Sequence, residues 1–113
     1  MKRLILLGAS GSIGTQSIEV IRQHQDELQL VGVSVGKKID YLISLLDEFK
    51  DIKYAYCIEE NLDLQKKYPD IKFFSGELGL EKIAKVDDYD ILENALLKFV
   101  SYSIKKWLVS SSA

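Results

Sequence analysis

The stretch Leu4-Ile5-Leu6-Leu7-Gly8-Ala9-Ser10-Gly11-Ser12-Ile13-Gly14 decides the fold. Four consecutive apolar residues run directly into glycines at positions 8, 11 and 14. The residues that follow repeat at helical spacing, which places Ile13, Ser17, Ile18 and Ile21 on one predicted helix face. The pattern predicts a buried strand, a tight glycine turn and the first turns of a helix.

This order of elements suits a bound phosphate. Glycines allow a positive φ and a close approach of the ligand, while the unpaired N–H groups at a helix start point toward negative charge. The spacing Gly-x-x-Gly-x-x-Gly is a variant of the dinucleotide fingerprint, and glycines also serve purely structural turns. Because a strand precedes the turn and a helix follows it, nucleotide binding is favoured. The predicted cofactor-binding residues of this turn are Gly8, Ser10, Gly11, Ser12, Ile13 and Gly14.

A second strand is predicted at residues 28–35, where Val31, Val33 and Val35 alternate with Gly32 and Ser34. A strand, a helix and a strand in this space form a right-handed βαβ unit with parallel strands. The continuation through predicted helices at 39–50, 61–68 and 77–84 and strands at 51–58, 71–74 and 91–92 indicates an α/β fold. We expect a Rossmann-like parallel sheet with flanking helices, the N-terminal part of a doubly wound fold.

The end of the second strand selects the cofactor. An NAD site usually places Asp or Glu here to bind the ribose 2′-hydroxyl. This chain offers Ser34, Gly36, Lys37 and Lys38 instead, so two ammonium groups and a small hydroxyl are available to a 2′-phosphate. The alternative is that the two lysines are a solvated pair that opens the next helix. Together with the glycine turn, the lysines favour NADP.

Composition excludes several other classes. The chain has 113 residues, enough for one domain, and its net charge of −2 argues against nucleic-acid binding. No apolar run is long enough for a membrane span, and the apolar stretch that breaks at Gly8 is too short for a signal peptide. The single Cys57 is predicted to be a packing residue, and the single His24 a solvated one. One cysteine and one histidine do not make a metal-binding cluster, so no metal site is expected. A cytoplasmic location is the default expectation.

Three blocks of the sequence resemble 1-deoxy-D-xylulose 5-phosphate reductoisomerase. They are residues 8–21, residues 31–38 and the segment Asp90-Ile-Leu-Glu-Asn-Ala-Leu96, and the resemblance covers roughly residues 1–97. It implies an NADPH-dependent oxidoreductase of non-mevalonate isoprenoid biosynthesis that converts 1-deoxy-D-xylulose 5-phosphate to 2-C-methyl-D-erythritol 4-phosphate. It also implies a divalent metal, Mg²⁺ or Mn²⁺, and a homodimer in the full-length family.

By the same resemblance, Ser10, Gly11, Ser12 and Ile13 fall on the family's pyrophosphate loop. Threonine is commoner than serine where Ser10 stands. Residues 36–37 fall on the NADP-selecting loop, while Lys38 replaces the asparagine that the family usually has there.

We expect residues 1–97 to form the NADP(H)-binding domain and residues 98–113 to be an unmatched tail. The metal carboxylates and the substrate-phosphate site of the family belong to a catalytic domain that we do not find in this sequence. No catalytic residue and no metal ligand is therefore assigned, and the acidic loop at residues 87–90 is interpreted as solvated charge. An inactive NADPH-binding fragment is the leading hypothesis.

Two other functions stay open. Extended short-chain dehydrogenases and epimerases share the glycine spacing and need a Tyr-x-x-x-Lys pair on a helix, for which Tyr68/Lys72 and Tyr102/Lys106 are the candidates. Pro69 argues against the first pair, because proline interrupts a helix. The second pair lies too near the C-terminus for a substrate pocket to be built around it. The third hypothesis is a non-enzymatic nucleotide-binding module.

Overall fold

Strands and helices alternate along the chain. In a computed structural model, which describes residues 1–95, five strands and four helices follow one another. In chain order they are β1 (Lys2–Leu7), α1 (Ser12–Gln23), β2 (Leu28–Ser34), α2 (Ile39–Glu48), β3 (Tyr54–Cys57), α3 (Leu62–Lys67), β4 (Lys72–Ser75), α4 (Gly79–Ala84) and β5 (Ile91–Asn94).

The described strands form one parallel sheet. Their order is β4-β3-β2-β1-β5, and each neighbouring pair is parallel. The chain therefore moves outward from β1 to β4 and then crosses back to add β5 on the other side of β1. This confirms the α/β fold with a parallel sheet, and it makes β1 the strand beside which the connection reverses direction.

Both faces of the sheet are buried. Leu4 and Leu6 of β1 face one core cluster with residues of α1, α2 and α3, while Ile5 and Leu7 face the other with residues of α4. The sequence of a strand that is covered on both faces is a continuous apolar run, without alternating polar residues. The burial explains why the sequence can place four apolar residues directly before the glycine turn.

The second strand departs from the predicted alternation. Leu4 pairs with Leu30, but the next residue, Ile5, pairs with Gly32, so β2 carries one extra residue at this point. Val31 consequently packs in the α4-side cluster, whereas Val33 packs on the opposite face. The prediction that the three valines share a face is wrong because a bulge changes which residues point together.

The predicted face of Ile13 and the predicted length of the third strand are also wrong. Ile13, expected on the apolar face of α1, is 42% exposed, because that helix turns only Gly14, Ile18 and Ile21 fully into the core. The third strand is shorter than the predicted residues 51–58, and Ile58, just past its end, is 43% exposed.

The acidic loop holds the start of β1 in place. The guanidinium of Arg3 forms ion pairs with Asp88 and Asp90, and the Arg3 N–H donates to an Asp90 carboxylate oxygen at 2.9 Å. The Asp90 N–H donates in turn to the Arg3 carbonyl oxygen at 2.8 Å. The interpretation of this loop as solvated charge is thus wrong for Asp88 and Asp90, which join the chain's first strand to its fifth.

We expect this link to make stability depend on pH. The hydrogen bond from the Arg3 N–H, and then the Arg3 guanidinium, lowers the pKa of Asp90 below the ordinary value of an aspartate. A lowered native pKa stabilises the folded state above the ordinary aspartate pKa, and the contribution disappears as the pH falls through the native pKa. Urea unfolding from about pH 6 down to about pH 3 should show a weaker pH dependence in Asp90→Asn than in the unaltered chain.

Asp87→Asn is the matched control, because Asp87 is exposed and, among residues 1–95, forms no ion pair. Its pH profile should follow that of the unaltered chain. Equal pH profiles for Asp90→Asn and the unaltered chain would contradict the assignment.

None of the helices described within residues 1–95 has the length and apolar character needed to cross a bilayer. The predicted tail at residues 98–113, with its Tyr102/Lys106 pair, lies outside the described part of the chain.

Candidate dinucleotide-binding site

The glycine turn lies at the carboxyl end of β1, between the ends of β2 and β5. This is the position where the strand order reverses, since β2 follows on one side of β1 and β5 is added on the other. Open parallel sheets bind their ligands in the crevice outside the carboxyl ends of the strands at such a point. Topology therefore places the predicted loop where a ligand would bind.

A positive φ explains one of the three glycines, and close packing explains another. Gly8 has φ of 78°, a conformation that residues with a side chain rarely adopt. A Cβ on Gly14 would stand 2.0 Å from the Gly8 carbonyl oxygen and 2.7 Å from the Ala9 Cα. Gly11 is different, because its Cβ would meet nothing nearer than 3.7 Å. Gly8 and Gly14 thus let the loop and the helix start touch through their backbones.

The first turn of α1 presents free N–H groups. Within α1, Thr15 is the first residue whose N–H is bonded, and its acceptor is the Gly11 carbonyl oxygen at 2.8 Å. Within residues 1–95 the N–H groups of Ser12, Ile13 and Gly14 have no acceptor. No side chain caps this end, and the first turn contains no acidic residue. Such an end attracts an anion through its N–H groups and the helix dipole.

Side chains around the turn are accessible. Ser12 and Ile13 are exposed and Ser10 is partly exposed, so the two hydroxyls can reach a ligand. Ile13, which sequence reasoning placed both on the helix core face and in the cofactor site, has the exposure that the second assignment requires.

A second concave surface follows β2. A cavity of about 270 Å³ is lined by Gly36, Lys37, Ile39, Ile58, Glu59, Glu60 and Asn61. Lys37 also lines a neighbouring depression together with Lys38. Both lysines are exposed, and among the residues described neither ammonium forms an ion pair. Their charges are available to an anion, although two glutamates share the cavity with Lys37.

Ser34 is placed differently from the other predicted residues. It is 2% exposed, and its hydroxyl oxygen accepts a hydrogen bond from the Gly8 N–H at 2.7 Å. The expectation that it offers a surface hydroxyl beside the lysines is wrong, because the side chain points to the glycine turn.

Sequence reasoning missed one contact behind the site. The Ser17 hydroxyl of α1 donates a hydrogen bond to the Glu93 carboxylate of β5. The two residues are separated by 76 positions, and β5 reaches α1 only through the strand order, so no local pattern marks the pair. This contact holds the helix that carries the free N–H groups against the neighbouring strand.

Other candidate residues have structural roles. Cys57 is buried, its thiol donates to the Glu59 carbonyl oxygen at 3.2 Å, and burial raises its pKa, so the predicted packing role is confirmed. His24 is exposed at the end of α1. Residues 1–95 hold no group of three or more His, Cys, Asp or Glu side chains placed to bind a metal ion.

The first Tyr-x-x-x-Lys candidate is excluded by geometry. Tyr68 lies at the end of α3 and Lys72 begins β4, so the two residues do not share a helix. Desolvation, reinforced by the hydrogen bond to Asp47, raises the pKa of Tyr68 to about 12. A phenol of this kind is a poor proton donor or acceptor near neutral pH.

Comparison with known proteins agrees with this geometry. A family model described as 1-deoxy-D-xylulose 5-phosphate reductoisomerase matches residues 4–103. The chain belongs to this reductoisomerase family. The enzyme of Listeria innocua is 41% identical and that of Bacillus cereus 43% identical, each over 98 residues that make up 86% of this chain and 26% of the relative. The chain thus spans about a quarter of the length of the curated reductoisomerases that it matches.

Solved reductoisomerases share the fold. The crystal structure of DOX-P reductoisomerase in complex with NADPH, fosmidomycin and magnesium has a TM-score of 0.74 at 25% identity, covering 99% of this chain and 28% of that one. The Zymomonas mobilis reductoisomerase in complex with NADPH, at 21% identity and a TM-score of 0.68, agrees in fold. The family match extends past Leu97, and the domain boundary predicted there stays a prediction.

Proposed function

We propose that this chain is the NADPH-binding part of a reductoisomerase. The observation that carries the proposal is the open first turn of α1, where three N–H groups without an acceptor in residues 1–95 meet a glycine turn with no capping or acidic side chain. A diphosphate supplies the negative charge and the acceptors that this turn lacks. Family membership and the solved NADPH complex of a relative support the same assignment.

The residues that would hold the cofactor fall into two groups. The diphosphate lies on the glycine turn, which comprises Gly8, Ser10, Gly11, Ser12, Ile13 and Gly14. The adenosine end lies beyond β2, where Gly36, Lys37 and Lys38 border the cavity and its neighbouring depression. The two ammonium groups favour the 2′-phosphate, which distinguishes NADPH from NADH. Bound NADPH supplies the hydride, and the residues of this chain bind and orient it.

The family's metal does not fit the described residues. They contain no group of metal-binding side chains, and residues 96–113 contain no Asp, Glu, His or Cys. We therefore derive no metal-dependent step from this chain. Conversion of 1-deoxy-D-xylulose 5-phosphate to 2-C-methyl-D-erythritol 4-phosphate, with a divalent metal, a homodimer and a cytoplasmic location, is proposed for the complete reductoisomerase. By itself, the 113-residue chain is proposed to bind cofactor without turnover.

Calorimetric titration of the purified chain with NADPH and with NADH tests the proposal. We expect NADPH to bind more tightly, because only it carries the additional phosphate for the lysines. Absorbance at the nicotinamide band, followed with the substrate and Mg²⁺ present, should show no NADPH consumption. Failure of both dinucleotides to bind would refute the cofactor assignment, and steady consumption would refute the proposed inactivity.

A further inference from the structure

We propose that Ser34 is a positioning residue for the diphosphate-binding turn; this inference rests on the function proposed above. Ser34 ends β2, the strand next to β1. Its hydroxyl oxygen accepts the Gly8 N–H at 2.7 Å, and its carbonyl oxygen accepts the Ala9 N–H at 2.8 Å. One buried residue of the neighbouring strand thus binds two consecutive N–H groups where β1 passes into the turn.

The hydroxyl acts at the residue that sets the direction of the turn. Gly8 has φ of 78°, and its carbonyl oxygen accepts the Gly11 N–H at 3.3 Å. The same oxygen lies where a Cβ on Gly14 would come within 2.0 Å. The orientation of the Gly8 residue therefore determines where the first turn of α1 begins. A hydrogen bond that fixes Gly8 also fixes the N–H groups that face the ligand.

Loss of this hydroxyl would leave a polar group without a partner. Gly8 is buried, so its N–H cannot exchange the lost hydroxyl for bulk water without movement of the turn. The Ala9 N–H keeps its acceptor, because that acceptor is the Ser34 backbone. The strands should therefore stay paired in Ser34→Ala while the peptide before Gly8 loses its restraint.

This role predicts a dependence on the ligand that a direct contact with the 2′-phosphate would not give. NADPH and NADH share the diphosphate, so a displaced turn should lower the affinity for both dinucleotides by the same factor. Adenosine 2′-monophosphate carries the 2′-phosphate but no diphosphate, so its affinity should not change. If Ser34 instead bound the 2′-phosphate, Ser34→Ala would weaken NADPH and adenosine 2′-monophosphate and spare NADH.

Nuclear magnetic resonance and titration of the purified chain test the inference. In Ser34→Ala we expect faster hydrogen exchange and an altered chemical shift at the Gly8 amide, while the Ala9 amide stays protected. Both dinucleotides should bind roughly tenfold more weakly, as expected when one buried hydrogen bond is lost. Ile83→Val is the control for general destabilisation, since Ile83 of α4 is fully buried in the core and does not belong to the glycine turn.

The outcomes separate the possibilities. Unchanged exchange at Gly8, a loss confined to ligands with a 2′-phosphate, or an equal loss in Ile83→Val would each overturn the positioning role. If the unaltered chain binds neither dinucleotide, the proposed function fails and the positioning role fails with it. If the unaltered chain binds both and Ser34→Ala binds them equally well, only the positioning role is refuted.

Discussion

Gly14→Ala should destabilise the fold by about 3 kcal/mol or more, because overpacking against backbone cannot be relieved by a side-chain rotation. The new Cβ would lie 2.0 Å from the Gly8 carbonyl oxygen and 2.8 Å from the Ala9 carbonyl carbon, which are both backbone atoms. Alanine favours a helix over glycine by about 1 kcal/mol, so the intrinsic preference opposes the clash but is too small to offset it.

The destabilisation is measured by urea unfolding without ligand, and NADPH affinity is measured separately below the unfolding transition. We expect NADPH binding to be lost, because α1 must move away from the glycine turn and its first N–H groups move with it. A Gly14→Ala chain as stable as the unaltered one would show that the turn and the helix are less closely packed than the structure indicates.

Gly11→Ala is the matched control for stability. Gly11 has φ of −80°, which alanine adopts readily, and its Cβ would meet no atom nearer than 3.7 Å. The change should cost about 1 kcal/mol or less, because glycine is a better N-cap than alanine but no side-chain cap hydrogen bond is lost. The two variants differ by position and not by chemistry, so a large difference between them isolates the contact at Gly14.

The sequence predicts the central part of this site because its signals are local. A continuous apolar run, three glycines and a helical repeat all fall within residues 4–21, and the structure places β1, the turn and α1 in that order. The helix predicted at residues 61–68 likewise corresponds to α3, and Pro69 lies just past its end. Elements whose limits depend on neighbouring residues in the chain are the ones that sequence reasoning finds.

Features that depend on strand pairing could not be found in this way. The bulge that turns Val31 to the other face arises from how β2 aligns with β1. Its one local signal is Gly32, since a glycine inside a strand often marks a bulge, but glycine alone does not say which neighbours change face. Arg3 meets Asp88 and Asp90 across more than 80 positions because β5 is added beside β1. Ser34 reaches Gly8 because β2 pairs with β1, and the sequence shows a small polar residue but not the N–H that it faces.

Replacement of Lys37 should change which dinucleotide the chain prefers. Lys37 lines both the cavity and the neighbouring depression, whereas Lys38 lines only the depression. A charged hydrogen bond contributes about 1.5–3 kcal/mol, so Lys37→Ala should lower the affinity for NADPH roughly 10- to 150-fold. Lys38→Ala should weaken it less, and NADH should be unaffected by either change because it lacks the 2′-phosphate. Titrations at several salt concentrations should show a smaller salt dependence for NADPH in Lys37→Ala.

Lys66→Ala separates local contact from overall charge. Lys66 is exposed in the last turn of α3, so its replacement changes the net charge by the same amount outside the depression lined by Lys37 and Lys38. If Lys66→Ala weakened NADPH as much as Lys37→Ala, the preference would come from the general field of the protein. If Lys37→Ala weakened the binding of NADPH and NADH equally, Lys37 would bind a group common to both dinucleotides. The proposed role of Lys37 in selecting NADPH would then be refuted. A loss specific to NADPH and to Lys37 is the result that ties selectivity to the residues after β2.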